Sequence, residues 1–366
     1  MIYLALLIAL LAVMTWYLEF KAYSIPVLYY HHVEPADPIT PEVFEAQMKY
    51  LLSKGYNSIS LSLLYEFISG RGTVPRKSFV LTFDDGFYCN YHYLLPILKK
   101  YNLKATVFVV SGVRRQISSP GYREDARGYP SRMGTNNNAS GRFAAWNELK
   151  LMTESGLVQV EDHSLFHDSI YISDRIEGFN TGVELDWPVW GDKRSGTVRY
   201  KTGSYLTHRN FTGDYKLNDY LTNIVKSSNL DPSDPKTMDM LKKAYRNYRT
   251  RNPVKFIYES EDGYRNRCRE DIEKSKRLIT EHTGANPAFF CFPWGQYNKT
   301  LLQILKKLGY NGAITTDKGA NVKGGDPYRI KRFKVYRSNI RWFKRYFFLH
   351  RSRILVTLYK TLYGWF

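Results

Sequence analysis

Phe79-Val-Leu-Thr-Phe-Asp-Asp-Gly-Phe87 is the stretch on which the reading of this chain turns. Residues of strand-forming type, Phe79 to Phe83, run into two adjacent carboxylates and a glycine. β-Branched and aromatic side chains favour a buried strand, and Gly86 permits an abrupt exit from it. Asp84 and Asp85 are therefore expected at the C-terminal end of a strand, where α/β proteins place their chemistry. Side chains alternate along a strand, so adjacent aspartates serve one site only if the chain bends there, and Gly86 is the expected bend. Taken alone, the segment also reads as an ordinary Asp-Gly turn.

Three further segments bear on the choice. His163-Ser-Leu-Phe-His167 follows the apolar stretch 156–160, and histidines four apart meet on one helix face or converge from a turn. Two imidazoles and a carboxylate form a common ligand set for zinc-like metals, with a position left for water. Phe290-Cys-Phe-Pro-Trp-Gly-Gln-Tyr-Asn298 reads as a strand end and a tight loop, with Trp294 and Tyr297 offering flat faces to a sugar. Near the start, Val27-Leu-Tyr-Tyr-His-His-Val33 places His31 and His32 side by side on a strand, so only one can face a site.

Together these segments resemble the polysaccharide deacetylase family, carbohydrate esterase family four. The resemblance rests on Thr82-Phe83-Asp84-Asp85-Gly86, His163-Ser164-x-x-His167 and Phe290-x-x-Pro293-x-Gly295, and on the helix-like lead-in from Trp146 to Val158. It covers roughly residues 24–167 and 265–335. Within the family the chain looks closest to the branch acting on poly-β-1,6-N-acetylglucosamine. Tyr30-His31 resembles that branch's early Tyr-His motif. Cys291 stands where chitin and peptidoglycan deacetylases carry an arginine, and Tyr328–Val335 resembles the branch's Arg-Ile-x-Arg strand.

The resemblance implies a metal-dependent N-deacetylase. Asp85, His163 and His167 would hold a divalent cation, with zinc the first expectation and cobalt, nickel or iron compatible. Such an ion lowers the pKa of bound water to roughly 7 and polarises an acetamide carbonyl. Asp84 would be the general base and His31 the general acid, with Phe292, Pro293, Trp294, Gly295 and Tyr297 binding substrate and backbone N–H groups of the Pro293–Gly295 loop meeting the oxyanion. The alternative substrate is a β-1,4 polymer of the peptidoglycan or chitin kind. A non-catalytic glycan- or nucleic-acid-binding protein is the rival from another class, prompted by a net charge of +19, although no nucleic-acid-binding motif accompanies it.

Apolar stretches near 27–33, 79–83, 105–110, 157–161, 288–292 and 312–315 alternate with helix-like segments near 41–54, 91–101, 145–155, 268–283 and 298–308. That alternation predicts a parallel α/β architecture, and the resemblance implies a distorted (β/α) barrel spanning 24–337. Two insertions are expected. The first, about 114–142, is a loop; the second, about 172–262, carries Trp187, Trp190, Tyr200, Tyr205, Tyr215 and Tyr220 and is either a substrate wall or a decoration with its own small core. Residues 2–18 carry no charge, so residues 1–20 are expected to anchor the chain in a membrane, with the catalytic domain in the cell envelope outside the cytoplasm. Residues 338–366, rich in cations and aromatic rings, read as a tail lying on an anionic surface. Three cysteines supply no disulfide framework.

Overall fold

The structure is a computed structural model and describes residues 2–20, 23–113, 143–182 and 189–363. The loop expected over 114–142 and Trp187 fall outside these residues. The chain divides into two compact units: Met1–Leu165 with Lys274–Gly295 and Leu305–Phe366, and Phe166–Glu273 with Gln296–Ile304.

The first unit is built on a parallel sheet. Its strands are β1 (Val27–Tyr30), β2 (Asn57–Ser58), β3 (Ser78–Phe83), β4 (Ala105–Val109), β5 (Val158–Asp162), β6 (Phe289–Cys291), β7 (Gly312–Ile314) and β8 (Phe333–Lys334). They lie in the order β7-β6-β5-β4-β3-β1-β8, with β2 also paired to β3. Ile330, just before β8, makes a parallel bridge to Ile314 of β7, so the two edges of the sheet curl toward each other. The expected parallel α/β architecture is present, as a curled half-barrel where a distorted (β/α) barrel was expected. β1, β3 and β4 are buried at every position, as strands covered on both faces must be.

The flanking helices follow from sequence as well. Phe44, Gln47, Met48 and Leu51 form the buried face of helix Pro41–Ser53 at helical spacing. Thr40 caps it by accepting from the Val43 N–H at 3.3 Å, with proline at the first turn. Tyr30 ties this helix to the sheet: its ring stacks on Phe83 at 5.3 Å and its hydroxyl donates to Gln47 Oε1 at 3.0 Å.

Two expectations for the ends of the chain are corrected. Residues Ile2–Phe20 are helical, but among the described residues no helix is long and apolar enough to cross a membrane. Its 19 residues reach about 28 Å at 1.5 Å each, against a hydrocarbon core of about 30 Å. The segment 338–366 is no surface tail either. It folds as helices Ile340–His350 and Arg353–Tyr363, which bury Phe343, Tyr346, Phe347, His350 and Val356. Phe347 meets Tyr56 edge to face at 4.9 Å, and Tyr346 meets Phe333 of β8 at 5.2 Å.

The second unit is wider than the expected 172–262 insertion. Ser169–Phe179 pairs antiparallel with Val198–Ser204, and helices Tyr215–Ser227 and Pro235–Arg251 complete it. Tyr171, Phe179, Val198, Tyr200, Phe211 and Leu221 belong to a core of its own. The self-packed reading therefore holds for Tyr200, which is 1% exposed, while Trp190, Tyr215 and Tyr220 remain at the surface.

Candidate metal centre and active site

β3 delivers Asp84 and Asp85 at its C-terminal end, both 4% exposed. The bend begins one residue earlier than expected: Asp85 itself is left-handed (φ 69°), as is Gly86. Aspartate tolerates this region better than most residues, and each of the two carboxylates lies within 4.8 Å of a His163 ring nitrogen. β5 delivers His163 in the same way, and the chain after it turns through Ser164 (φ 72°) to His167 (φ 56°). Non-glycine residues in this conformation, gathered at one place, mark a backbone shaped for a site.

Asp162, at the end of β5, holds that turn. Its carboxylate accepts from the Ser164 N–H at 2.8 Å, the Ser275 hydroxyl at 2.6 Å and the Tyr310 hydroxyl at 2.5 Å. Burial lifts its pKa to about 6 against these donors.

Asp85, His163 and His167 each present a ligand atom, all within 4.8 Å of one another, and all three side chains are buried. His163 Nε2 lies 3.5 Å from Asp85 Oδ1. Its Nδ1 is 2.8 Å from the Cys291 carbonyl, which can only accept, so Nδ1 carries the hydrogen and Nε2 turns its lone pair toward Asp85. Two imidazoles and a carboxylate with that tautomer fit a divalent cation of the zinc type.

Asp84 faces a different partner. Arg332, 1% exposed, forks onto it, with Nη1 donating to Oδ1 at 2.6 Å and Nη2 to Oδ2 at 2.9 Å. Nε of the same guanidinium donates to the Thr315 carbonyl at 3.0 Å, and Tyr29 lies beneath it at 4.3 Å. Burial pushes the Asp84 pKa up, but the charge and hydrogen bonds of Arg332 together with the charges of His163 and His31 outweigh it and hold the carboxyl well below the usual range. Arg332 thus fills the space for which position 291 offers no arginine. Cys291 Sγ accepts from its Nη2 at 3.2 Å, and burial keeps that sulfur a thiol. Sequence reasoning placed Arg332 in a family-like strand but gave it no role. The available signal was an arginine between Ile330 and Phe333 of a buried strand.

The adjacent histidines separate. His31 is largely buried, which lowers its pKa to about 4, while the Asp84 carboxylate opposes that shift. His32 turns elsewhere: its ring stacks on Phe87 at 4.0 Å and Nδ1 lies 3.3 Å from Glu34 and 3.8 Å from Cys89 Sγ. Of the two, His31 is the one electrostatically coupled to Asp84.

The loop after β6 departs from expectation in three places. Phe292 is 1% exposed and packs against Phe290, and Pro293 is buried, so neither shows a face to a ligand. Gly295 spends its N–H on the Phe292 carbonyl at 2.9 Å, and Pro293 has none, which removes both from the expected oxyanion donors. Trp294, left-handed at φ 60°, is 45% exposed. Tyr297 belongs to the second unit.

The site and fold together define an α/β half-barrel with a buried Asp-His-His cluster that could hold a metal ion, and the comparisons identify its kind. Residues 71–183 and 257–313 match the family described as polysaccharide deacetylase. The chain belongs to that family. Over 273 residues it is 24% identical to the poly-beta-1,6-N-acetyl-D-glucosamine N-deacetylase of Escherichia coli K12, covering 75% of this chain and 30% of the relative. A Staphylococcus aureus protein of the same name is 26% identical over 169 residues, covering 41% of this chain and 51% of the relative. The chain thus spans about a third to a half of the length of the curated relatives it matches. The solved structure of a de-N-acetylase from Aggregatibacter actinomycetemcomitans superposes with a TM-score of 0.56 at 20% identity, over 87% of this chain and 99% of the other, a likeness of fold.

Proposed function

We propose that this chain is a metal-dependent N-deacetylase that removes acetyl groups from an N-acetylglucosamine polymer, with the β-1,6-linked polymer as its substrate. The observation carrying this reading is the convergence of Asp85, His163 and His167 within 4.8 Å of one another, next to the Asp84 that Arg332 holds. Zinc is the first choice of ion, with cobalt, nickel and iron compatible with the donors. Such an ion, when bound, supplies a Lewis acid for the acetamide carbonyl and acidifies water.

The residues divide the remaining work. Asp84, ionised at rest and aimed by the Arg332 fork, accepts the proton of the attacking water. The fork fixes geometry at the expense of basicity, so the reaction depends on that water being already acidified. As the carbon–nitrogen bond breaks and the water oxygen becomes part of acetate, His31 hands a proton to the departing amine. Burial holds His31 neutral at rest. The proton it hands on is therefore the one Asp84 took from water, passed to His31 before the amine departs, which returns Asp84 to its ionised form. The Trp294 ring offers a face on which a sugar can stack. The names of the relatives and the cysteine at 291 favour the β-1,6 linkage, and a polymer of that kind places the work outside the cytoplasm.

Acetate release from defined β-1,6 and β-1,4 N-acetylglucosamine oligomers, with and without chelator, tests the reading. The β-1,6 oligomer is expected to be the better substrate, with activity lost to chelator. Chelator-resistant turnover, or preference for β-1,4, would refute the metal or linkage respectively. Asp84→Ala is expected to abolish acetate release while the protein keeps its bound metal, whereas His163→Ala loses both, as metal analysis of the purified proteins would show.

A further inference from the structure

The first unit contains a second concavity, at the opposite end of β3 from the aspartates. Lys77 immediately precedes β3 and Asp84 immediately follows it. Six residues of strand at about 3.3 Å each set the two ends about 20 Å apart. The cavity, of about 320 Å³, is lined by Lys54, Lys77, Lys344 and Arg351, together with aromatic rings, and no carboxylate lines it. These cations come from three places: the end of helix Pro41–Ser53, the start of β3 and the helix Ile340–His350 with its cap.

Lys77 and Lys344 are held toward this space by contacts that carry no negative charge. Lys77 Nζ donates to the Lys54 carbonyl at 3.0 Å, and Lys344 Nζ sits 4.7 Å from the centre of the Tyr50 ring. The Arg351 guanidinium lies 4.3 Å over Phe348, and its Nη1 donates to the Tyr56 hydroxyl at 3.4 Å. Rings and carbonyls orient a cation but leave its charge. Like charges facing one concavity repel one another and focus a positive potential there. A multivalent oxyanion relieves that repulsion. A guanidinium fork and several ammonium groups match phosphate, which accepts many charge-assisted hydrogen bonds.

We propose that this cavity binds a phosphate group, with the ring walls taking an adjoining part of the ligand. Such a group could belong to a soluble phosphorylated compound or to a lipid head group. The backbone at the rim is fixed in place: Tyr23 bridges Ser352, and the Ser24 N–H donates to the Arg351 carbonyl at 2.7 Å. The site stands apart from the deacetylase reading and does not depend on it.

The test uses the full chain and two double variants of equal charge change. Lys54→Gln with Lys344→Gln removes two cations of the cavity, and Lys226→Gln with Lys236→Gln removes two exposed lysines of the second unit. Binding of inorganic pyrophosphate is measured by calorimetry. Partition onto phosphatidylglycerol vesicles is measured against phosphatidylcholine vesicles. At least one probe is expected to bind saturably, and to bind at least tenfold more weakly to the cavity variant while the control variant retains parental affinity. Loss with pyrophosphate assigns a soluble ligand, and loss confined to phosphatidylglycerol assigns a head group. No saturable binding of either probe, or equal weakening in both variants, overturns the proposal. Matching thermal midpoints establish that the variants are folded, and Lys77→Gln serves as a substitute if the first pair is not.

Discussion

Replacing Arg332 by lysine keeps the charge but discards the fork. Lysine presents a point charge that cannot hold both oxygens of Asp84 at once, so the carboxylate gains freedom to rotate. Arg332→Lys is expected to lower kcat/KM by at least about tenfold, roughly 1.4 kcal/mol in the transition state, with metal content unchanged; near-parental turnover would show that the fork does not matter. Gly295 offers a second test. A Cβ there would lie 2.0 Å from Thr316 Oγ1, on a residue already at φ +68°. Gly295→Ala should lower the thermal midpoint through a cost of about 1–3 kcal/mol and weaken substrate binding by displacing Trp294. At this scale the convergence of Asp85, His163 and His167 was legible from sequence, because an Asp-Asp-Gly strand end and paired histidines have a spacing that few other roles require. Arg332 was not. It stands in a run of cations, Arg329, Lys331, Arg332 and Lys334, and only tertiary packing singles out the one that turns inward. Phe292 and Pro293 were misjudged because a motif records which residues recur, not whether they touch ligand or prop up those that do.

The C-terminal helix Ile340–His350 shows the same contrast between composition and placement. Its many cations suggested a surface strip, yet its apolar residues recur at helical spacing, and that periodicity is what packing followed. His350 sits on its buried face, with Nδ1 donating to the Tyr346 carbonyl at 2.8 Å and burial lowering its pKa to about 4. The unfolded chain holds the same imidazole near 6.5. A basic group with a depressed folded pKa stabilises fully above pH 6.5 and loses that contribution as pH falls toward 4. The loss amounts to about 3 kcal/mol. Denaturant titrations at pH 7 and pH 4.5 should show it, and His350→Phe should flatten the dependence; an unchanged slope would place the acid sensitivity elsewhere. The strands of the main sheet were found from sequence to within a few residues, β8 through the resemblance over Tyr328–Val335, apart from β2, whose two residues are too few to display a period.

For the molecule as a whole, the C-terminal helices are structural members. Phe343, Tyr346, Phe347 and Val356 are all buried, and each contributes about 1.5–3 kcal/mol on burial, together comparable to a domain's entire stability of about 5–15 kcal/mol. Deleting residues 338–366 is therefore expected to abolish cooperative unfolding, seen as loss of a sharp thermal transition by circular dichroism. A truncated chain that melts sharply would restore the surface-tail reading. The second unit was the least legible part: short strands and helices assemble their own core from residues with no clean repeat, and only the structure shows that Tyr200 faces inward. The pairing of Asp84 with Arg332 joins positions 248 residues apart and has an implication for synthesis. A nascent chain released only as far as residue 331 already contains Asp85, His163 and His167, yet Asp84 lacks the guanidinium that pairs with it in the folded protein. Such a chain must stay open there or protonate the acid. The buried carboxylate thus closes over its partner only after residue 332 has been added.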